Sequence, residues 1–375
     1  MKKPARILVV DDEVGMLRAV ERVLGAMHKV VGSQSSAQSV ALAREFKPHL
    51  VILDIRMPEL DGFELMARLK ADHPDVEIIL MTGSIDDMDQ KLIRAIRGRA
   101  FYFIQKPFDR EVLQALVERC LELRWRREEN RRHVARLERE LAEARAFQLG
   151  LLPAKDVVTD HLAICCRYVP CWELGGDLYD YVSIGSGRTA LIVADVVGHG
   201  VSAAMLTGVV KSAFRASDGD HYDPSAVVQR VRRNLAPFGA ERFVTMIAAV
   251  VEDSKLSYVN AGHPAGLVWN DNGKIERLET TGPMVSAAFD GWTWERRSVP
   301  MPAGGRILLY TDGVSDALSG EHDLGDEEIA AMIERHAAGG APLLDALLAE
   351  VNVRFGGRPQ PDDLTLLTAR RFSGS

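Results

Sequence analysis

Residues 50–58 read Leu50-Val51-Ile52-Leu53-Asp54-Ile55-Arg56-Met57-Pro58, opening on a continuous apolar run that ends in a carboxylate. A strand that is apolar at every position is covered on both faces, which is the condition of a parallel sheet with helices on either side. The pattern recurs around it. Ile7-Leu8-Val9-Val10 runs into Asp11-Asp12, Ile78-Ile79-Leu80-Met81 into Thr82, and Phe101-Tyr102-Phe103-Ile104 supplies a further strand. Amphipathic stretches separate these runs, so residues 1 to about 110 predict βαβ units around a doubly wound parallel sheet. Ligands bind beyond the carboxyl ends of strands in such sheets, and Asp11, Asp12, Asp54 and Thr82 would converge there.

The chain has 375 residues, which at ~150 residues per domain implies two or three folding units. With 47% apolar and 26% charged residues, each unit can bury a core, and disorder as the main state is excluded. The 46 basic and 53 acidic residues leave a net charge of -7, which gives no global attraction to nucleic acid or to an anionic membrane. Nothing approaches a run of ~20 apolar residues, and Met1-Lys2-Lys3-Pro4 precedes only a short apolar strand, too brief for a signal peptide. A cytoplasmic protein with no membrane span is expected. Cys120, Cys165, Cys166 and Cys171 lack CxxC or Cys/His spacing and read as reduced thiols.

From 111 to about 150 the chain is rich in Arg and Glu, with no Gly or Pro before Gly150, and predicts one long helix. A heptad frame puts Leu113, Cys120, Arg127, Val134 and Leu141 at one seam position and Leu116, Leu123, Asn130, Leu137 and Ala144 at the other. The polar centre of that seam suits a helix pair that shifts or unzips, hence a homodimer through the linker; a lone solvated helix is the alternative. Beyond it, runs such as Ala190–Ala194, Val244–Val251, Lys255–Val259 and Arg306–Tyr310 are joined by short turns, with a helix expected from about Ser202 to Arg215. These are antiparallel hairpins, so the second unit is α+β. The expected units are 1–122, a helical linker over 111–150, and 151–372.

Two sets of residues carry chemistry. Asp11, Asp12 and Asp54 at strand ends, with Lys106 before Pro107, crowd three carboxylates around one ammonium. Mg²⁺ would relieve the repulsion, with the carbonyl two residues after Asp54 as a further ligand, and a carboxylate so placed can attack phosphorus to give an acyl phosphate. In the second unit, glycines or strand ends present Asp177 (Gly175-Gly176-Asp177-Leu178-Tyr179-Asp180), Asp195 (Ala194-Asp195-Val196-Val197-Gly198-His199-Gly200), Asp312 (Tyr310-Thr311-Asp312-Gly313) and Asp362 (Pro361-Asp362-Asp363-Leu364-Thr365). Brought together, these oxygens would select Mg²⁺ or Mn²⁺, and two such ions can direct a bridging water at a phosphate ester. Taken singly, Gly175-Gly176-Asp177 or Thr311-Asp312-Gly313 is an ordinary turn in which Asp bonds local backbone and Gly takes positive φ. His199 and His263 are candidate general acids, each with a structural alternative in a glycine-flanked turn.

The ordered motifs of residues 5 to about 122 resemble the receiver domain of two-component response regulators. That resemblance implies phosphorylation of Asp54 by a sensor histidine kinase or phosphotransfer protein, Mg²⁺ on Asp11, Asp12 and Asp54, Lys106 paired with the phosphate, Thr82 and Phe103 reporting it, and a cis Lys106-Pro107 bond. Phe147-Gln148-Leu149-Gly150-Leu151-Leu152-Pro153, the four aspartate motifs and Asn260-Ala261-Gly262-His263-Pro264 resemble the SpoIIE-like and RsbU-like branch of PPM-type (protein phosphatase 2C family) serine/threonine phosphatases, with their α+β sandwich. This implies Asp195 bridging two metal ions, Asp177 and the Val196 carbonyl on one, and Asp312 with Asp362 on the other, Asp363 being able to share that role. It also implies a phosphoserine or phosphothreonine substrate, a STAS-type anti-sigma-factor antagonist in that branch. The rival reading is a non-catalytic RssB-like adaptor that binds a partner through a phosphatase-like domain; loss of the carboxylates would mark it, and all four stand here.

Overall fold

The computed structural model describes residues 4–83, 100–185, 187–216, 222–319, 325–336 and 338–372; Met1 to Lys3, read above with the amino-terminal segment, lie outside the described residues. The chain divides into two compact units, Met1–Leu137 and Glu138–Ser375.

In the first unit β1 (Arg6–Val10), β2 (Lys29–Ser33), β3 (Leu50–Asp54), β4 (Glu77–Thr82) and β5 (Tyr102–Gln105) form a parallel sheet in the order β2-β1-β3-β4-β5. The alternation of the strands splits their side chains between two cores. Ile7, Val9, Ile52 and Ile79 pack with Val20 and Leu24 of α1 (Val14–Leu24). Leu8, Val10, Val51 and Leu80 pack with Ala43 of α2 (Ser36–Phe46) and Phe63, Leu65 and Leu69 of α3 (Gly62–Asp72). Side chains start the helices: Ser35 accepts from the Gln38 amide at 3.2 Å and Asp61 from the Phe63 amide at 2.9 Å. Both active-edge aspartates therefore end strands that are locked by packing on two faces.

The long helix α4 runs Arg110–Leu151. Its first turns bury Leu113, Val117, Cys120 and Leu121 in the first unit's core, the 3.6-residue spacing of an ordinary amphipathic helix. This corrects the seam reading for its first heptads, because Leu113 and Cys120 face their own sheet and not a second helix. Arg127 of the polar centre is likewise used within the unit, pairing with Glu77 at 2.9 Å, and nearby Arg131 pairs with Asp75 at 2.7 Å. Val134 and Leu137 are exposed, at 53% and 55%.

The second unit is built on two antiparallel sheets. One contains β8 (Asp177–Ser183), β9 (Arg188–Val196), β10 (Phe243–Glu252), β11 (Lys255–Ala261) and β15 (Arg297–Pro300) in the order β15-β11-β10-β9-β8, with β14 (Val285–Ser286) on β10. The other contains β6 (Asp156–Val158), β7 (Leu162–Val169), β12 (Gly266–Trp269), β13 (Ile275–Leu278), β16 (Arg306–Tyr310) and β17 (Leu364–Arg371) in the order β13-β12-β16-β17-β7-β6. The sheets face each other through Tyr179, Leu191, Val193 and Ile247 on one side and Ile164, Ile307, Leu309 and Leu367 on the other. Residues one step along each strand point outward. Ile192 and Ala194 meet α5 (Val201–Arg215) and α6 (Pro224–Leu235), while Leu308 and Leu366 meet α7 (Asp312–Leu318), α8 (Gly325–Arg335) and α9 (Ala341–Phe355). The result is an α/β/β/α sandwich. Among the described residues no helix is long and apolar enough to cross a membrane.

The burial pattern of α4 separates two substitutions. Leu113→Ala should destabilise the first unit by about 3 kcal/mol in urea unfolding, whereas Leu137→Ala should change it by less than about 0.5 kcal/mol.

Candidate functional site

In the first unit, Asp11 follows β1, fully buried; one carboxylate oxygen accepts from the Glu13 amide at 3.0 Å and the other meets Lys106 Nζ at 2.6 Å. Asp54 ends β3 and is also buried, its Oδ1 3.1 Å from the same ammonium. One oxygen from each of Asp11, Asp12 and Asp54 lies within 4.8 Å of the others. Burial raises the Asp54 carboxyl above its usual range, Lys106 opposes that, and Asp11 adds to it. Burial works against the Lys106 charge, but the hydrogen bond to Asp11 and the charges of Asp54 and Asp11 prevail and raise its pKa. Thr82 is buried at the end of β4, and its carbonyl accepts the Lys106 amide at 2.7 Å, just before a cis Lys106-Pro107 bond. Phe103 is partly buried against the core that holds Leu53 and Leu80. A cleft of ≈ 580 Å³ lined by Asp12, Arg56, Met57 and Glu59 opens beside the cluster.

In the second unit, the strand register places Asp177, at the start of β8, directly opposite Asp195 on β9. Asp177 is buried, and its Oδ2 accepts hydrogen bonds from Thr311 at 2.8 Å and Thr365 at 2.6 Å. Those threonines stand beside Asp312 and two residues beyond Asp363, so two hydroxyls draw the end of β16 and the start of β17 onto Asp177. Sequence reading passed over both, although each lies inside a quoted motif. Asp363 is buried and occupied: its oxygens accept from the amides of Cys171 at 2.8 Å and Gly176 at 2.6 Å. Asp362 is exposed, and its carboxylate lies with Asp363 and the Cys171 sulfur in a group whose donor atoms are within 4.8 Å of one another.

The glycines serve close approach. Gly175, Gly176 and Gly313 are absent from the positive-φ positions, which corrects the turn rationale. A Cβ on Gly176 would sit 2.6 Å from the Val196 carbonyl oxygen and 3.0 Å from that of Gly198; one on Gly313 would overlap the Asp363 carbonyl, and one on Gly175 the Tyr168 hydroxyl and Asp363 carboxylate. The bare backbone lets three distant segments touch.

Burial, then the charges of Asp312, Asp362 and Asp363, pushes Asp195 up to about 7. Burial followed by Asp195 and Asp363 raises Asp177 well above the carboxylate range, against the pull of the two threonine hydroxyls. Asp312 is raised by burial and then by Asp362. The charges acting on Asp195 are all carboxylates, so this oxygen-only set fits hard divalent cations.

The histidines separate. His263 is buried, its Nδ1 2.9 Å from the Thr245 hydroxyl and its amide bonded to Asn260 Oδ1 at 2.8 Å, and burial drives its pKa down to about 3. Such a ring is neutral at pH 7 and structural. His199 is exposed and stacks on Trp172 with centroids 6.2 Å apart. Asp180, the last residue of the Gly-Gly-Asp motif, is fully buried and takes Lys211 Nζ at 2.5 Å and Arg215 Nε at 2.7 Å, clamping α5 to β8.

Fold and carboxylate sites define a response regulator in which a receiver unit accompanies a PP2C-like unit. Residues 7–118 match the response regulator receiver domain, and residues 185–372, half of the chain, match Stage II sporulation protein E (SpoIIE). The chain belongs to the SpoIIE family. Phosphoserine phosphatase RsbP of Bacillus subtilis is 34% identical over 185 residues, 48% of this chain and 45% of RsbP. Phosphoserine phosphatase RsbU of the same organism is 25% identical over 236 residues, 62% of this chain and 70% of RsbU. The solved RsbU and RsbW domains of Rv1364c from Mycobacterium tuberculosis superpose with a TM-score of 0.52 at 26% identity, covering 59% of this chain and 63% of that one. The SiaA-PP2C domain of Pseudomonas aeruginosa shares the fold, with a TM-score of 0.54 at 24% identity, covering 64% of this chain and 99% of that one. The chain spans less than half the length of RsbP.

Two outcomes are expected. Asp180→Ala strands two cations and should cost about 3 kcal/mol, the lower end for breaking a buried pair because Arg215 can reach water. For His263 the depressed pKa stabilises the protein above about pH 6.5 and that contribution is lost as pH falls. The stability difference between wild type and His263→Gln should therefore shrink by about 1.4 kcal/mol per pH unit below pH 6; a pH-independent difference in urea unfolding refutes the assignment.

Proposed function

We propose that the chain is a phosphorylation-controlled, metal-dependent phosphatase of phosphoserine or phosphothreonine in a partner protein. The observation that carries the reading is that Asp177, Asp195, Asp312 and Asp362, from four separate strand ends, come close enough that burial and their mutual charges raise the pKa values of Asp177, Asp195 and Asp312. Asp177 is buried, Asp195 and Asp312 are half-buried and Asp362 is exposed, with no cation among the charges acting on Asp195. The names of RsbP and RsbU support the reaction class. In this reading Asp195, Asp177 and the Val196 carbonyl would hold one Mg²⁺ or Mn²⁺ ion, and Asp195 with Asp312 and Asp362 would hold a second. Asp363 is assigned to the backbone of residues 171–177, because its oxygens are already engaged there.

Bound ions supply Lewis acidity and an activated water for in-line attack. The chain's part is geometric. Thr311 and Thr365 fix the orientation of Asp177, the glycine contacts hold Val196 against the Asp177 turn, and the open side at Asp362 admits the phosphate ester. The bond from water to phosphorus forms as the ester P–O bond breaks, releasing inorganic phosphate and the seryl or threonyl hydroxyl. All four carboxylates are in place, which disfavours the adaptor reading.

The control unit covers residues 1–122. Asp54 accepts phosphate from a sensor kinase or phosphotransfer protein, Asp11 and Asp12 hold Mg²⁺ with it, Lys106 pairs with the phosphate, and Thr82 and Phe103 respond. The helix over 111–150 connects this unit to the phosphatase over 151–372, and its exposed Val134 and Leu137 support self-association there as a homodimer. A cytoplasmic location and a STAS-type anti-sigma-factor antagonist as substrate complete the reading.

Phosphatase assays on phosphorylated STAS proteins, with and without Mn²⁺ and a small phosphodonor, test it. Asp195→Ala should lower Mn²⁺-dependent turnover about 100-fold or more, and undiminished turnover would refute the site. Asp54→Asn should abolish the response to phosphodonor while leaving phosphatase activity measurable; equal stimulation in the variant would sink the proposed control.

A further inference from the structure

Between residues 122 and 150 of α4, Gln148 is the one buried side chain. It is 6% exposed, while its neighbours Phe147 and Leu149 are 72% and 43% exposed. A helix that meets its domain at one buried position would gain most from an apolar residue, since a buried amide is costly unless both its ends are hydrogen-bonded. Both ends are. Nε2 donates to the Gly175 carbonyl at 2.7 Å, and Oε1 accepts from the Gly175 amide at 3.2 Å.

Gly175 is a strategic partner. It lies two residues before Asp177, and the next amide, that of Gly176, is held by Asp363 at 2.6 Å. The turn that delivers Asp177 is therefore gripped from two sides, by Asp363 at the start of β17 and by Gln148 on α4. Gly175 tolerates no side chain of its own, because a Cβ would strike Tyr168 and Asp363. Withdrawing Gln148 would leave both polar groups of a buried peptide without these partners, a cost that favours rearrangement of the turn. Beside the clasp lies an apolar cavity of ≈ 320 Å³, lined by Phe147, Leu151, Leu174, Val201 and Met205 among others. The helix face next to Gln148 is thus incompletely packed, and the amide pair carries a large share of the local attachment.

We propose that Gln148 is a positioning residue for Asp177: its two hydrogen bonds to Gly175 set the turn that presents this carboxylate, so the axial setting of α4 governs whether the carboxylate group is assembled to take a divalent ion. The inference rests on the phosphatase reading above and deepens it by naming the atom pair through which α4 acts. A two-point clasp needs donor and acceptor in register, and a slide of α4 by one residue, about 1.5 Å, breaks both bonds.

The test uses the full chain, wild type against Gln148→Leu and Gln148→Glu, with Mn²⁺ as the probe. Calorimetric titration of Mn²⁺ into metal-free protein should show about 10-fold or greater weakening in Gln148→Leu. Hydrogen exchange of the peptide spanning 171–177 should quicken in that variant. Saturating Mn²⁺ should restore kcat with KM for the phosphoprotein unchanged, and the response to phosphodonor should be reduced. Gln148→Glu keeps the acceptor for the Gly175 amide but loses the donor, so it should fall between the two; it also carries the test should Gln148→Leu not fold. Unchanged Mn²⁺ affinity and unchanged exchange in folded variants overturn the proposal while the phosphatase reading stands. A wild-type chain that neither binds Mn²⁺ nor hydrolyses phosphoserine overturns both.

Discussion

The second unit is arranged around a repulsion. Asp177 and Asp195 face each other across adjacent strands, and Asp312 and Asp362 are close enough to act on Asp195 electrically. Left alone, such a group would push its strands apart or take up protons. The sandwich holds it together by packing on both sides of the central sheet and by aiming neutral donors, the hydroxyls of Thr311 and Thr365, at the most deeply buried member. Fold stability is thereby committed to keeping carboxylates in a place where a bound cation would relieve their repulsion.

The first unit solves a smaller version of the same problem with a resident cation. Lys106 reaches both Asp11 and Asp54, so part of the repulsion is relieved before any ion arrives. Asp12 remains exposed at the rim. The contrast fits the two chemistries proposed: Asp54, proposed to become modified, has a permanent counter-charge nearby, whereas the carboxylates proposed to hold ions have none among the charges acting on Asp195.

Much of this was legible in the sequence because burial on two faces leaves an unbroken apolar run. β1, β3 and β4 were found that way, and Asp11, Asp54 and Thr82 at their ends came with them; β9, β10 and β16 were read as strands of antiparallel hairpins. β2 was missed because Lys29-Val30-Val31-Gly32-Ser33 lies at a sheet edge and is only partly buried. The helix 111–150 was found, but its first heptads were given to a partner helix; a heptad and a 3.6-residue stripe coincide over two turns, and only the sheet beneath distinguishes them. Asp362 and Asp363 could not be separated by spacing, since the difference between them is which backbone amides each one meets. Thr311, Thr365 and Gln148 were quoted within motifs without roles, because a hydrogen-bond partner more than 20 residues away leaves no local signature. Gly175, Gly176 and Gly313 make room for another chain segment, which is also a non-local property, whereas Gly198 and Gly200 take the positive φ of a tight turn.

From residue 129 to 140 every side chain of α4 is exposed. At its start lie the Glu128–Arg132 pair at 2.9 Å and the Arg127–Glu77 and Arg131–Asp75 bridges, all bearing exposed arginines. Pairs of that kind weaken as salt rises, and a helix of about a dozen residues without a packed face is marginal alone. The middle of α4 therefore owes its helical state to its own backbone hydrogen bonds and to exposed ion pairs, which salt weakens, and not to burial against either core.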